Sequence, residues 1–284
     1  MLDVIIDTLI DSVKLLPFLF ITYLIMEYIE HKTKNKTKET IKKSGKFGPL
    51  IGSILGIFPQ CGFSVSATNL YSARVITLGT LIAVYLSTSD EMLPIFITET
   101  VPIDIILKVL AIKLLVGIIA GFLIDLVIRI IKKDKQENKK ILDICEKEHC
   151  GCEHGIVKSA IKHTLSIFVF ILLVVLVINI VIYFIGEEKI EGLLHNQPIL
   201  GPAIAGIIGL IPNCASSVII TQMYLDNVIS AATMISGLLV GAGVGLAVLF
   251  RTNKGIKENI KIVILLYFIG TLSGVILELL RLKF

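Results

Sequence analysis

The chain has 284 residues, of which 55% are hydrophobic and only 18% are charged. Apolar runs close to the ~20 residues that a helix needs to cross a bilayer exclude an ordinary soluble domain and indicate a polytopic membrane protein. The formal net charge of +4 does not indicate nucleic-acid binding, because the Lys residues lie in the loops between these runs.

The apolar runs lie at residues 15–26, 109–124, 165–185, 229–250 and 262–277. Aspartates rather than basic residues precede the first run, so we do not expect it to be a cleavable signal. The third run contains Asn179, which we expect to form a hydrogen bond between helices rather than to bind a ligand.

The charges of the loops predict how the chain is oriented in the membrane. Residues 31–46 carry seven Lys and one Glu, and residues 132–158 and 251–261 are also rich in cationic side chains. Residues 89–104 and 186–198 are acidic. Because cytoplasmic loops carry the excess of Lys and Arg, the first three loops are predicted to be cytoplasmic and the N-terminus to lie outside the cell membrane.

One segment of the chain occurs twice. Residues 48–71 and 201–224 align without a gap at an offset of 153, and 11 of the 24 positions are identical, including a Pro and a Cys in the middle of each copy. Duplicated breaks inside apolar segments are typical of transporters whose binding site lies between two repeats. We therefore divide the chain into repeat one at 1–131, a linker at 132–158 and repeat two at 159–284.

Each copy is too short for two ordinary crossings. Its two arms of about 11 residues each reach roughly 16 Å as helix, which is about half of the bilayer. We predict a re-entrant hairpin broken at Pro59-Gln60-Cys61 in repeat one and at Pro212-Asn213-Cys214 in repeat two. The alternative is two short complete crossings per copy, which gives ten nominal spans and the same loop charges.

A broken helix and a closing helix follow each hairpin. The first broken helix is interrupted at Ser87-Thr88-Ser89-Asp90, and its counterpart is interrupted around Gly241 and Gly243. Each closing helix carries two glycines four residues apart and then an acid, which we interpret as a surface for close helix packing. The predicted fold is an all-α polytopic membrane protein with two inverted repeats, because each repeat contains an odd number of full crossings. Each repeat comprises a leading helix, a hairpin, a discontinuous helix and a closing helix.

These motifs resemble the ten-transmembrane heavy-metal exporter family, whose members are also described as arsenic efflux proteins or manganese transporters. The resemblance covers nearly the whole chain, with the strings PQCGFS at 59–64, LSTSDEMLPI at 86–95, IPNCASS at 211–217, SGLLVGAGVGLAVLFR at 236–251 and a Cys/His-rich linker. It implies an exporter of a metal or metalloid ion. The paired hairpins are also similar in architecture to carriers of citrate and dicarboxylates.

The hairpin tips are the first candidate binding site. Their prolines free backbone carbonyls, Gln60 and Asn213 present amides, and Cys61 and Cys214 offer thiols that suit soft metals and trivalent arsenic. Hydroxyl residues of the second arms are expected to line the same cavity: Ser64, Thr68, Ser217 and Thr221. The alternative is that each Cys is a small buried hydrophobe.

The break in the first broken helix is the second candidate. Ser87-Thr88-Ser89 precedes Asp90, an ionisable residue at membrane depth that is predicted to coordinate a cation or to carry a coupling proton. Alternatively the helix ends here and the acids lie in an outer loop, which is the interpretation we favour for Glu91. Lys113 of the closing helix is predicted either to neutralise Asp90 or to snorkel towards the outer face.

The linker holds a third candidate site. Three Cys and two His lie within ten residues and could bind zinc or copper(I), although their spacing matches no closed zinc finger. These residues are Cys145, His149, Cys150, Cys152 and His154. We interpret the linker as a loop that hands metal to the transporter; the alternative is a flexible charged connection.

Together these sites favour a secondary active exporter of a metal or metalloid ion, such as manganese, a zinc-like cation or arsenite, with protons as the coupling ion. The alternative is an organic-anion or organoarsenical carrier that binds through hairpin amides and helix N-termini. A membrane enzyme with Cys61 as nucleophile and Asp90 as base is less favoured, because no His in a core position would activate the thiol. We expect no enzymatic activity, no required cofactor and, by the carrier analogy, a homodimer.

Overall fold

A computed structural model of the protein describes most of the membrane part of the chain. The described residues are 47–58, 62–89, 91–131, 156–185 and 200–280, with eight scattered helical residues between 13 and 24. They form helices joined by short turns, without a strand among them. The predicted all-α fold is therefore confirmed.

Five of the continuously described helices belong to the first half: α1 (Gly48–Gly56), α2 (Gly62–Ser72), α3 (Leu78–Ser87), α4 (Met92–Thr98) and α5 (Ile103–Ile131). Six belong to the second half: α6 (Ile156–Ile185), α7 (Leu200–Gly209), α8 (Ala215–Leu225), α9 (Ala231–Val240), α10 (Gly245–Thr252) and α11 (Ile256–Leu279). Helix α6 begins inside the predicted linker 132–158, because the apolar pattern of the second half already starts at Ile156.

The sequence repeat is also a repeat of helices and of contacts. Helices α2 to α5 start at positions that match the starts of α8 to α11 at the offset of 153. Within each half, the first arm packs on the first part of the broken helix, which packs in turn on the closing helix. Between the halves, α2 packs on α10 and α8 packs on α4, so each second arm contacts the broken helix of the other half.

The broken helices form the centre of the molecule and the closing helices its periphery. Among the residues that the structure describes, five stretches are long and apolar enough to span a membrane. In the stretches Leu78–Thr98 and Ala231–Thr252, 71% and 89% of the most apolar part is buried. In Ile103–Ile131, Ala160–Ile180 and Ile256–Leu279 the share is only 17%, 24% and 28%. Large apolar side chains cover the exposed faces of these peripheral helices, as expected of a surface that contacts lipid.

The two arms of each predicted hairpin run antiparallel. A Cβ built on Gly48 would lie 2.2 Å from the Thr80 hydroxyl, and one on Gly56 would lie 2.2 Å from the Ser87 hydroxyl. Helix α1 therefore runs parallel to α3, and α2 returns to the start of α3 through the turn at 73–77. The first arm ends level with Ser87, which is where the broken helix is interrupted in the middle of its span.

Polar groups fix the start of each broken helix. Thr77 caps α3 by accepting a hydrogen bond from the Thr80 N–H, and Ser230 caps α9 in the same way. The acids that end the two closing-helix motifs reach these caps. Asp125 accepts hydrogen bonds from the Thr77 hydroxyl and the Gly79 N–H, and Glu278 accepts one from the Ser230 hydroxyl.

The glycines of the closing helices allow close packing, as predicted. A Cβ on Gly121 would lie 2.7 Å from the Gly79 carbonyl oxygen, and a Cβ on Gly274 would lie 2.5 Å from the Ser236 side chain. Such distances leave no room for a larger residue without a shift of the neighbouring backbone or side chain. Each closing helix is thereby held against its own broken helix.

Candidate transport site

The C-terminal ends of α3 and α9 meet at one buried lysine. Lys113 of α5 is fully buried, and its ammonium donates hydrogen bonds to the backbone carbonyls of Thr88 and Leu238. Thr88 caps α3, and Leu238 lies in the last turn of α9. The prediction that Lys113 snorkels to the outer face is wrong, because carbonyls of both halves hold its charge inside the protein.

The Ser87-Thr88-Ser89 break lies in the protein interior, as predicted. All three residues are buried, and α3 ends at Ser87 while α4 begins at Met92. The three hydroxyls donate to backbone carbonyls of the same segment, at distances of 2.7 to 3.2 Å. These hydroxyls therefore stabilise the helix end. Glu91 is the partly buried residue that precedes α4.

The second hairpin tip is a compact turn between the two halves. Helix α7 ends at Gly209 and α8 begins at Ala215, so Pro212 lies in the break, as predicted. Asn213 and Cys214 are 4% and 9% exposed. The Asn213 amide donates a hydrogen bond to the Asn179 side-chain oxygen of α6. Asn179 was expected to bond to another helix, whereas this bond joins α6 to the turn and fixes the position of the tip.

Cys214 belongs to a buried apolar cluster that contains residues of both halves. The cluster includes Val65 of α2, Ile171 of α6, Val244 in the second helix break and Val248 of α10. Val65 follows Cys61 by one helical turn in the chain, which places the second tip beside the part of α2 nearest to the first tip. Val244 lies in the interruption around Gly241 and Gly243, and Gly243 has the positive φ of 54° that the predicted break requires.

The remaining predicted site residues lie outside the described residues. They are Pro59, Gln60, Cys61, Asp90, Cys145, His149, Cys150, Cys152 and His154. Their roles stay predictions, as does the predicted pairing of Lys113 with Asp90. Within the part of the chain that the structure describes, no three His, Cys, Asp or Glu side chains lie close enough to hold a metal ion together.

The hydroxyls of the second arms are buried, but they have different partners in the two halves. Thr68 donates to the Ser64 carbonyl, and its hydroxyl lies 2.5 Å from the Tyr85 hydroxyl and 3.2 Å from the Gly245 carbonyl. In the second half, Thr221 and Ser217 donate to carbonyls of their own helix at 2.7 Å. Ser64 and Thr68 thus face the broken helix of the other half.

Polar chemistry is therefore concentrated in the first half. At the offset of 153, Tyr85 and Lys113 correspond to Leu238 and Leu266, and Asp90 corresponds to Gly243. Tyr85, Lys113 and Leu266 are all fully buried. Sequence reasoning identified Lys113 by its charge at membrane depth but missed Tyr85, whose hydrogen bonds depend on the partner half.

A second polar cluster that joins the two halves lies at the C-terminal end of α2. The sequence analysis did not predict this cluster. The Arg74 guanidinium binds both Glu258 oxygens, at 2.7 and 2.9 Å, and the Tyr71 hydroxyl donates to the same carboxylate. Hydrogen bonding to Glu258 raises the pKa of the Arg74 guanidinium, which stays charged. Ser72 and Thr252 add a hydroxyl contact of 2.8 Å beside it. The cluster joins the end of the first hairpin to the start of the last closing helix.

Two further features define where polar ligands can and cannot bind. A cavity of about 250 Å³ between α1, α2 and α3 is lined mainly by apolar side chains, so it does not suit an ion.

Asn69 of α2 is 2% exposed, and its amide has no hydrogen-bond partner among the described residues. A buried amide of this kind can bind water or a polar ligand between the helices.

The fold and the site define a polytopic α-helical membrane protein of the transporter class, because helix breaks of two halves meet at a buried polar centre. A family model described as "Putative, 10TM heavy-metal exporter" matches residues 1–184 and 126–246. The chain belongs to this family of metal transporters. No curated protein and no solved structure matches it.

Proposed function

We propose that the protein is a secondary active exporter of a metal or metalloid ion that works by alternating access between two inverted repeats. The observation that carries this proposal is the meeting of both broken helices and the second hairpin tip inside the contact between the halves. In a member of a heavy-metal exporter family, such a centre is the natural place for the transported ion.

The directions of the helices support the inverted arrangement. Ser64 lies beside Gly245, and Ser72 bonds to Thr252, so α2 and α10 run parallel. Helix α2 runs opposite to α3, whereas α10 continues the span that begins with α9. The two broken helices therefore point in opposite directions, with their interrupted ends together at Lys113. This is the relation expected of repeats that alternate in exposing one central site.

The geometry of the hairpins supports the re-entrant form rather than two complete crossings. Helices α1, α2, α7 and α8 contain 9 to 11 residues and are about 14 to 17 Å long, which is roughly half of a bilayer. The first arm also ends beside the interruption of the broken helix, in the middle of the membrane span. Both observations support a position of the tips near the bilayer centre.

We propose that the transported ion binds where the two tips and the first break face each other. Cys61 and Cys214 would supply thiolates, Asp90 a carboxylate, and Gln60, Asn213, Ser64, Ser217 and Thr221 neutral oxygens nearby. The burial of Cys214 beside Val65 of the first half supports this arrangement. Backbone carbonyls of the Ser87-Thr88-Ser89 break, apart from that of Thr88, which accepts from Lys113, would complete the oxygen donors.

Protons are the proposed counter-ion, with Asp90 as the residue that binds them. In the cytoplasmic linker, Cys145, His149, Cys150, Cys152 and His154 would bind metal and pass it to the inward-facing site. The N-terminus would lie outside the cell membrane, and two copies of the chain would form a homodimer. No enzymatic step or resident cofactor is required.

Organic anions fit the site less well. The one fully buried cation among the described residues, Lys113, already donates to two backbone carbonyls of helix C-termini. Helix C-termini carry partial negative charge, which repels an anion. An organic-anion or organoarsenical carrier would have to bind elsewhere.

Flux measurements on purified protein in proteoliposomes test the proposal. Mn²⁺, Zn²⁺, Cd²⁺, arsenite and citrate are compared, with an imposed pH gradient and without one. We expect one metal or metalloid species to be transported, faster with the gradient, and we expect Cys214→Ser to lower the rate. Transport of citrate alone, or of none of these species, would contradict the proposal.

A further inference from the structure

The two backbone carbonyls that accept hydrogen bonds from Lys113 lie at the C-terminal ends of α3 and α9, where neither helix continues. In a continuing helix the Ala242 N–H would donate to the Leu238 carbonyl, but here it donates to the Val240 carbonyl at 2.8 Å. Thr88 has an extended conformation with a ψ of 127°, so its carbonyl leaves the direction of α3. Each helix C-terminus also carries about half a negative charge. Two such ends therefore converge on one ammonium.

A buried ammonium is unfavourable unless its charge is compensated, because the protein interior replaces water poorly. Among the contacts that the structure describes, a pair of backbone oxygens on interrupted helices contributes to this compensation. Unwound carbonyls and helix C-terminal ends are also the groups that coordinate Na⁺ in transporters with broken helices. Lys113 thus occupies a position whose chemistry suits a small monovalent cation.

We propose that Lys113 is a tethered cation that fills a monovalent-cation site formed by the C-terminal ends of α3 and α9. With the ammonium in place, the protein needs no alkali cation there. Without it, Na⁺ or K⁺ would bind between the Thr88 and Leu238 carbonyls. Lys113 is a positioning residue in this proposal, because it holds the two broken ends together. The proposal concerns the stability of the folded protein and does not depend on which species is transported.

The repeat suggests a suitable variant. Leu266 is the residue at the position of Lys113 in the second half, and it is fully buried there. Lys113→Leu therefore introduces a side chain that the same helix position accepts in the other repeat. Lys108→Leu is the matched control, since Lys108 lies on the same helix with an exposed side chain. Lys113→Arg keeps the positive charge.

The experiment is thermal unfolding of the full-length protein in detergent, in NaCl, KCl or N-methylglucamine chloride at equal ionic strength. Wild type, Lys108→Leu and Lys113→Arg are expected to unfold at temperatures that do not depend on the cation. Lys113→Leu is expected to unfold at a lower temperature in N-methylglucamine, and to recover by about 3 °C, saturably, between 1 and 100 mM Na⁺ or K⁺.

Two results would overturn the proposal. One is a Lys113→Leu variant whose unfolding temperature is the same in all three salts. The other is a Lys113→Leu variant that fails to fold in every salt while Lys113→Arg folds, which would show a need for charge without a cation site. Lys113→Gln provides a second test, because its amide is polar but carries no positive charge, and the same dependence on Na⁺ or K⁺ is expected.

Discussion

Replacement of Asp125 by alanine should destabilise the protein much more than the equivalent change in the second half. Asp125 is 6% exposed, and its carboxylate accepts hydrogen bonds from the Thr77 hydroxyl at 2.7 Å and the Gly79 N–H at 3.0 Å. Both donors lie in the first turn of α3, where an anion also interacts favourably with the helix dipole. Its counterpart Glu278 is only partly buried, and its carboxylate accepts a hydrogen bond of 2.6 Å from the exposed Ser230.

The structure sets the size of the effect. Hydrogen bonds to a charged group contribute about 1.5–3 kcal/mol each, and the removal of a buried acceptor leaves its donors without partners. These contributions are not additive, so we expect Asp125→Ala to lower the free energy of unfolding by about 3 kcal/mol. Asp125→Asn keeps one acceptor oxygen and should cost about 1–2 kcal/mol. Glu278→Ala should cost less than about 1 kcal/mol, because solvent replaces its bond.

The assay is equilibrium unfolding in mixed micelles, followed by circular dichroism. Thr77→Val combined with Asp125→Ala should cost less than the sum of the two single changes, because the residues share one hydrogen bond. An Asp125→Ala variant within about 0.5 kcal/mol of wild type would refute the reasoning. So would a Glu278→Ala variant that loses as much stability as Asp125→Ala.

Three further changes test other contacts between helices. Gly121→Val should reduce the yield of folded protein in size-exclusion chromatography, because its Cβ would lie 2.7 Å from a backbone oxygen; a wild-type yield would contradict the packing. Arg74→Ala should lower the free energy of unfolding by about 1–2 kcal/mol. The double variant Arg74→Glu with Glu258→Arg should lose less stability than Arg74→Ala, because it can form the ion pair in the reverse sense. If the double variant loses as much stability as Arg74→Ala, the inter-half ion pair is contradicted. Asn179→Leu should speed hydrogen exchange at the second hairpin tip, whose amide loses its partner, and unchanged exchange would show that the bond does not hold the tip.

The repeat and the helix breaks could be predicted from the sequence because they depend on local chemistry. Pro212 interrupts its segment wherever the segment packs, since it lacks an N–H. The role of the closing-helix glycines follows from similar local rules, and the same motif recurs in the second half at the offset of 153. The predicted break at Gly241 and Gly243 was found for the same reason.

The polar contacts between the halves could not be predicted in this way. Arg74 and Glu258 are far apart in the chain, and their ion pair forms only when the two halves meet. Arg74 also adopts a positive φ of 62° at the end of α2, where Gly is the usual residue. The position of Lys113 suggested a neighbour in its own half, whereas one of its partners is Leu238 in the other half.

The central claim is that the two hairpin tips meet on the transport path. It can be measured directly in a variant whose three linker cysteines are replaced by serine. A short, cleavable reagent that joins two thiols should link Cys61 to Cys214, stop metal flux in proteoliposomes, and release it again on reduction. The same treatment of the Cys61→Ser variant should give no linked product, which shows that the link joins these two thiols. Failure to link the two cysteines, or full flux through the linked protein, would contradict the account.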